Sequence, residues 1–156
     1  MLLRVIAVGQ RMPTWVDTAV EEFSRRMPPE WRLEWRSVKA EPRNDRAQPK
    51  QWKEREARRI LEALPEQSQL VLLDERGRDL DSAGLAAMMQ RWQSHARPVA
   101  IVIGGPDGVD DLIRQQATTT LRLSSLTLPH ALVRVVLAEQ LYRGWSILAG
   151  HPYHRD

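Results

Sequence analysis

At 156 residues, 42% of them apolar, the chain can bury one real core but is too short for two independent domains, so residues 1–156 are expected to form a single domain. It has no cysteine, which excludes disulfides and thiolate metal sites, and its four histidines lack paired ligand spacing, which argues against zinc or any other bound metal. The formal charge is only +3, yet it is unevenly placed: Lys39 to Arg59 holds eight basic against four acidic residues, a net +4.

The first run, LLRVIAV (2–8), is branched and apolar, as a buried strand requires. Arg4 interrupts it and Gly9 ends it, so it is too short for a signal peptide or a membrane span, and a cytoplasmic protein without membrane contact is expected. Pro13 suits the first turn of a helix in which Trp15, Val16, Ala19, Val20 and Phe23 recur at helical spacing until Pro28 and Pro29 stop it. In WRLEWRSV (31–38) Trp31, Leu33 and Trp35 alternate with charges. That is the pattern of a half-exposed strand at a sheet edge.

Residues 39–50 contain two prolines, many charges and no apolar period, and read as a mobile loop. Pro49 opens a charged helix with Trp52, Ala57, Ile60, Leu61 and Leu64 on one side and Lys53, Arg55, Arg58 and Arg59 on the other. Loop and helix together could track phosphates, because guanidinium forks match phosphate oxygens, but a solvated helix face laced with salt bridges has the same composition. QLVLLD (69–74) is a short buried strand, with ERGRDLD after it reading as a turn. In an open parallel sheet, ligands sit beyond the strands' carboxyl ends, which would aim Leu73 and Asp74 at a site; a polar strand cap is the plainer alternative. Asp81 or Ser82 should cap the next helix, where Met88 and Met89 read as packing.

PVAIVIGGPDG (98–108) completes an alternation of strands and helices that argues an α/β fold with a mainly parallel sheet and helices on both faces. Gly104 and Gly105 permit close backbone approach, but the spacing matches neither a dinucleotide fingerprint nor a phosphate-binding loop. TLRLS should add a strand. Pro129 should start a long helix ending near Gly150 that is apolar nearly all round, and so needs covering on two sides. The sheet supplies one cover, and a second copy of the chain in a twofold dimer is expected to supply the other. Glu139 and Arg143 stand at ion-pair spacing, suited to an interface contact, to a substrate phosphate or to ordering the tail. The terminal HPYHRD carries more functional groups than a frayed end needs: Tyr153 could stack on a base, Arg155 hold a phosphate, and His154 titrate near neutrality.

VIGGPDG, LSSLTLPHALVRVVLAEQLYRGWSI and HPYHRD, together with LRVIAVGQRMPTWV at the start, resemble the ribosomal RNA large subunit methyltransferase H family of the SPOUT superfamily. The resemblance spans the whole chain and is weakest over 39–68. It implies a C-terminal trefoil knot, a homodimer and S-adenosylmethionine as cofactor. The implied reaction is methylation at N3 of a pseudouridine in 23S rRNA within the assembled ribosome. On the matching positions, Leu73, Gly104, Gly105, Ser125, Leu126, Thr127, Leu128, Pro129 and His130 would bind the cofactor. Tyr153, His154 and Arg155 would serve the RNA; beside the resemblance, the chemistry of His154 makes it a candidate proton acceptor. The competing readings are a non-catalytic ribosome-binding dimer and a SPOUT enzyme acting on another RNA; a dehydrogenase is disfavoured by the missing fingerprint.

Overall fold

The computed structural model describes residues 1–43 and 48–155. Ten elements follow in order: β1 (Leu2–Val8), α1 (Thr14–Arg26), β2 (Arg32–Val38), α2 (Pro49–Ala63), β3 (Gln69–Asp79), α3 (Ser82–His95), β4 (Val99–Ile103), α4 (Asp111–Gln116), β5 (Thr119–Arg122) and α5 (His130–Ala149). The five strands form one sheet in the order β2-β1-β4-β3-β5, with every neighbouring pair parallel. All carboxyl ends therefore lie along one edge. Parallel strands need crossovers, and the crossovers cover both faces.

The alternation of strand side chains sorts the core into two layers. Leu3, Val5, Val71, Ile101 and Ile103 face Met88, Met89 and Trp92 of α3 and Leu137 and Leu141 of α5. Ile6, Val8, Leu70, Leu72, Ala100 and Val102 face the other way, against Ala57 and Ile60 of α2 and Ile113 of α4. The β4 run VAIVI is buried at every position, since helices cover both sides of a central strand. α5 packs against both α1 and α3. Edge strand β2 is half-exposed as its pattern predicts, although the strand starts at Arg32 and Trp31 is buried just before it. Asp81 caps α3 by accepting a hydrogen bond from the Gly84 N–H at 2.7 Å, and Gly150 closes α5 at φ +67°. Among the described residues, no helix is long and apolar enough to cross a membrane.

Two sequence expectations are corrected. ERGRD is not a turn but the second half of β3, which runs eleven residues to Asp79. Its composition is poor in strand formers, so local preference points the wrong way. Pairing with β5 overrides it: Leu121 aligns first with Leu73 and again with Arg78, a register shift that bulges residues 74–77. At that bulge Gly77 presses on β5 so closely that a Cβ would lie 2.6 Å from the Leu121 carbonyl oxygen. Arg122 then closes the end of the pair on Asp79, with Nη2 to Oδ2 at 2.8 Å.

The second correction concerns 39–50, of which 44–47 lie outside the described residues. Residues 39–43 are not loose. Arg43 donates to Glu56 Oε2 at 2.8 Å and to Asp107 Oδ2 at 2.9 Å, and its guanidinium lies over the Trp52 ring. On the basic face of α2 the salt-bridged alternative fits in part: Arg55 and Arg59 both pair with Glu41 at 2.8 Å. Lys39, Lys50 and Arg58 remain exposed. The short helix α4, capped by the Asp110 carboxylate accepting from Leu112 N–H, has no counterpart in the sequence reading.

Candidate cofactor pocket and C-terminal tail

A pocket of about 460 Å³ opens at the carboxyl ends of β3, β4 and β5. Three chain segments build it: the end of the apolar half of β3, the turn after β4, and the stretch that leaves β5 for α5. The turn is GPDG, in which Gly108 N–H donates to Gly105 C=O at 3.0 Å and Gly108 takes φ +81°. It sits hard against the sheet, since a Cβ on Gly105 would meet Val8 Cγ1 at 3.2 Å and Glu56 Oε1 at 3.3 Å. Beyond β5, Ser124 Oγ accepts from Leu126 N–H at 2.9 Å and shapes the third wall. Leu73, Gly104, Gly105, Leu126, Thr127, Leu128 and His130 all line this space. Ser125 and Pro129 belong to the same segment without lining it, and Leu123, Ser124 and Val133 do line it.

The polar groups on the wall are ordered. Asp74, with 9% of its side chain exposed, accepts from Arg114 Nη2 at 2.7 Å and from Arg76 N–H at 2.9 Å. Burial would raise its pKa, but the hydrogen bonds from Arg114 and the Arg76 amide together hold it below the ordinary aspartate value. His130 opens α5 beside a buried cation, Arg134, whose residue is only 5% exposed. Arg134 donates Nε to His130 Nε2 at 3.0 Å, Nη2 to Gly9 C=O at 2.6 Å and Nη1 to Ser37 Oγ at 3.2 Å. It thereby ties the start of α5 to the ends of β1 and β2. Accepting from Arg134 requires an unprotonated Nε2, and burial followed by the Arg134 charge lowers the His130 pKa. His130 is thus a neutral group at pH 7.

This has a pH signature. A histidine with a depressed folded pKa binds fewer protons than in the unfolded chain, so stability falls as pH drops below the unfolded value of about 6.5. The expected loss is at most about 1.4 kcal/mol per pH unit until the folded pKa is reached. Urea midpoints at pH 7.5 and 5.5 measure it. His130→Gln, which keeps an acceptor for Arg134, should shrink the difference, and an unchanged difference would refute the assignment.

Tyr153, His154 and Arg155 are elsewhere. They lie further along α5: Tyr153 reaches Glu139, about 14 Å along the axis from His130, and His154 reaches Ser146, about 24 Å from it. The tail folds back on the end of that helix. Tyr153 OH donates to Glu139 Oε1 at 3.0 Å, Arg143 pairs with the same oxygen at 2.6 Å and lies over the Tyr153 ring, and His154 Nδ1 stands 3.2 Å from Ser146 Oγ. Tyr142 packs edge-on against Tyr153 at 4.6 Å and stacks on Trp145. Burial and the Glu139 carboxylate raise the Tyr153 pKa, so it stays a phenol. Arg155 is exposed. Among the described residues no group of three or more histidines, aspartates or glutamates is placed to hold a metal ion. Sequence reading missed Arg134, Arg43, Glu56 and Arg114. Arg43, Glu56 and Arg114 are charged residues in charged or amphipathic segments where nothing local marks them as buried or paired, whereas Arg134 is a lone charge in the apolar run 131–138 of α5.

A parallel α/β sheet with a ligand-sized pocket over its carboxyl edge defines a class of small-molecule-binding α/β enzymes. The solved structure of a probable methylase family protein from Haemophilus influenzae Rd KW20 shares the fold, with a TM-score of 0.55 at 11% identity over 99% of this chain and 70% of that one. The family model described as "Predicted SPOUT methyltransferase" matches residues 1–154, and the chain belongs to that family. Within it, the chain is 52% identical over 155 residues to a protein of Bordetella petrii, covering 99% of each, and 51% identical over 156 residues to one of Methylibium petroleiphilum, covering all of each. Both relatives are named ribosomal RNA large subunit methyltransferase H.

Proposed function

We propose that this protein is an S-adenosylmethionine-dependent methyltransferase that acts as a cytoplasmic homodimer and methylates N3 of a pseudouridine in the 23S rRNA of assembled ribosomes. The observation that carries the reading is the pocket itself. It is formed by the segments the family resemblance assigns to the cofactor, in a chain about half identical from end to end to proteins named for this activity.

The residues suit such a ligand. The volume is within the range of pockets that bury a nucleoside-sized molecule. Leu73, Leu126 and Leu128 offer apolar contact for a base, and the backbone of 104–105 and 123–128 offers donors and acceptors for its edge and the ribose. Bound there, S-adenosylmethionine supplies a methyl group already activated on a sulfonium sulfur, so neither a metal nor a covalent nucleophile is needed. The chain's own task is to place N3 in line and accept its proton. His154 is assigned the proton acceptor, Arg155 a phosphate contact, and Tyr153 a contact to the nucleotide, ordered by Glu139. The trefoil knot that the resemblance implies for the C-terminal part belongs to the same proposal.

The dimer follows from distance. One chain holds His154 beside Ser146, about 24 Å along α5 from His130 at its own pocket, so a complete site needs the tail of a second copy. Trp15 and Leu132, on the neighbouring helices α1 and α5, are 53% and 38% exposed and offer apolar surface to it.

Calorimetry with the folded protein should show adenosylmethionine binding, and no heat at millimolar ligand would count against the reading. Labelled methyl transfer to ribosomes from a strain lacking the protein tests the substrate. Binding to ribosomes without transfer would mean a docking protein, and transfer only to other RNA would mean a different SPOUT activity.

A further inference from the structure

The pocket wall carries three arginines, Arg76, Arg114 and Arg122, and they are not equivalent. Arg122 is committed to Asp79 through both Nε and Nη2. The Arg76 side chain is 73% exposed and approaches Asp74 only at 3.5 Å, so water competes for it. Arg114 is 27% exposed and held at 2.7 Å by Asp74, whose two oxygens are fixed by Arg114 and by the Arg76 amide. Gly108 roofs it, with a Cβ there falling 3.5 Å from Arg114 Nη2. Of the three, Arg114 is a cation that is ordered before any ligand arrives.

The ligand proposed above has one anionic group, the α-carboxylate of its amino-acid end. Its base and ribose are neutral and suit the leucine and backbone walls. Its ammonium and sulfonium are cations, and Asp74, Glu75 and Asp107 give the same wall carboxylates to receive positive charge. We propose that Arg114, fixed by Asp74, anchors the carboxylate of the bound S-adenosylmethionine and so makes the pocket select an amino-acid-bearing nucleoside over one without that group. A guanidinium presents several donors in a fixed fork, and the Asp74 bond uses one edge of it. A mere strut between β3 and α4 would also pair Asp74 with Arg114, but it would be indifferent to the ligand's carboxylate.

This rests on the cofactor reading, and calorimetry can separate the two. The probes are S-adenosylmethionine and its decarboxylated form, each titrated into the full chain. The wild type should bind the carboxylate-bearing ligand roughly tenfold to a hundredfold more tightly, the range of one charge-assisted hydrogen-bonded contact. Arg114→Gln should bind the two ligands alike, at about the affinity the wild type has for the decarboxylated one, and Arg114→Lys should keep part of the preference. Equal binding of both ligands by the wild type overturns the assignment while leaving the cofactor reading intact. So does full discrimination retained in Arg114→Gln. If that variant does not fold, the wild-type ratio and Arg114→Lys decide. A wild type that binds neither ligand removes the cofactor reading and this assignment with it.

Discussion

Mixing two inactive variants, Thr127→Trp and His154→Ala, is expected to restore about a quarter of wild-type methyl transfer. Thr127 is exposed and lines the pocket, so an indole there should block the ligand without touching the core. His154 lies beside Ser146 in the last turns of α5, and loss of the proton acceptor proposed there should cost about 10²–10⁴-fold. If each site joins one subunit's pocket to the other's tail, a mixed dimer holds one doubly damaged site and one intact site. Random reassociation makes about half the dimers mixed, each with half the normal sites. Were each chain to use its own tail, no mixed dimer would have an intact site. Activity after mixing, with mixed dimers verified by native mass spectrometry, decides. No recovery would sink the shared-site arrangement.

The second large effect is expected at Gly77. There the added carbon of Gly77→Ala would fall 2.6 Å from the Leu121 carbonyl oxygen and 2.7 Å from its nitrogen, with the carbonyl carbon nearer still, which no side-chain rotation relieves. The two strands must part, and destabilisation of roughly 3 kcal/mol is expected, in the range of overpacking against a rigid neighbour. The consequence reaches the pocket, because β5 leads directly into its third wall. Arg78→Ala, one residue on and exposed, should change the urea midpoint little by comparison. A Gly77→Ala midpoint within error of the wild type would mean the strands do not approach as described.

Much of the architecture could be read from runs whose burial leaves a plain signature. LLRVIAV and VAIVI are apolar because helices cover both faces of a central strand, and the alternation in 32–38 marks an edge. The prolines and glycine bounding α1 and α5 act through local backbone rules, so these ends were legible too. The second half of β3 was not. Asp74 to Asp79 becomes strand only because Leu121 and Arg122, over forty residues away, pair with it. Glu56 shows the same limit from the other side: it sits in a helix of charges, and its burial depends on Arg43 reaching across from the preceding loop. For the site, Leu73 and Asp74 follow from strand-end reasoning, whereas the two glycines were given to the cofactor only by family resemblance. The 123–128 wall came from family resemblance; the tail was marked by its own groups, but spacing alone does not say that it folds back along α5 onto Glu139 and Ser146.

The dimensions of α5 leave a constraint on how this chain can change over time. Arg134 and His130 fasten its start to the strand ends, while Glu139, Ser146 and Tyr142 fasten the tail to its finish. Inserting one residue between the two fastenings would advance the tail by about 1.5 Å and swing it about 100° around the axis. Tail and interface would then lose their mutual alignment even if every side chain were kept. Length variation should accumulate in the connection between β2 and α2, whereas insertions and deletions within the last helix should be purged.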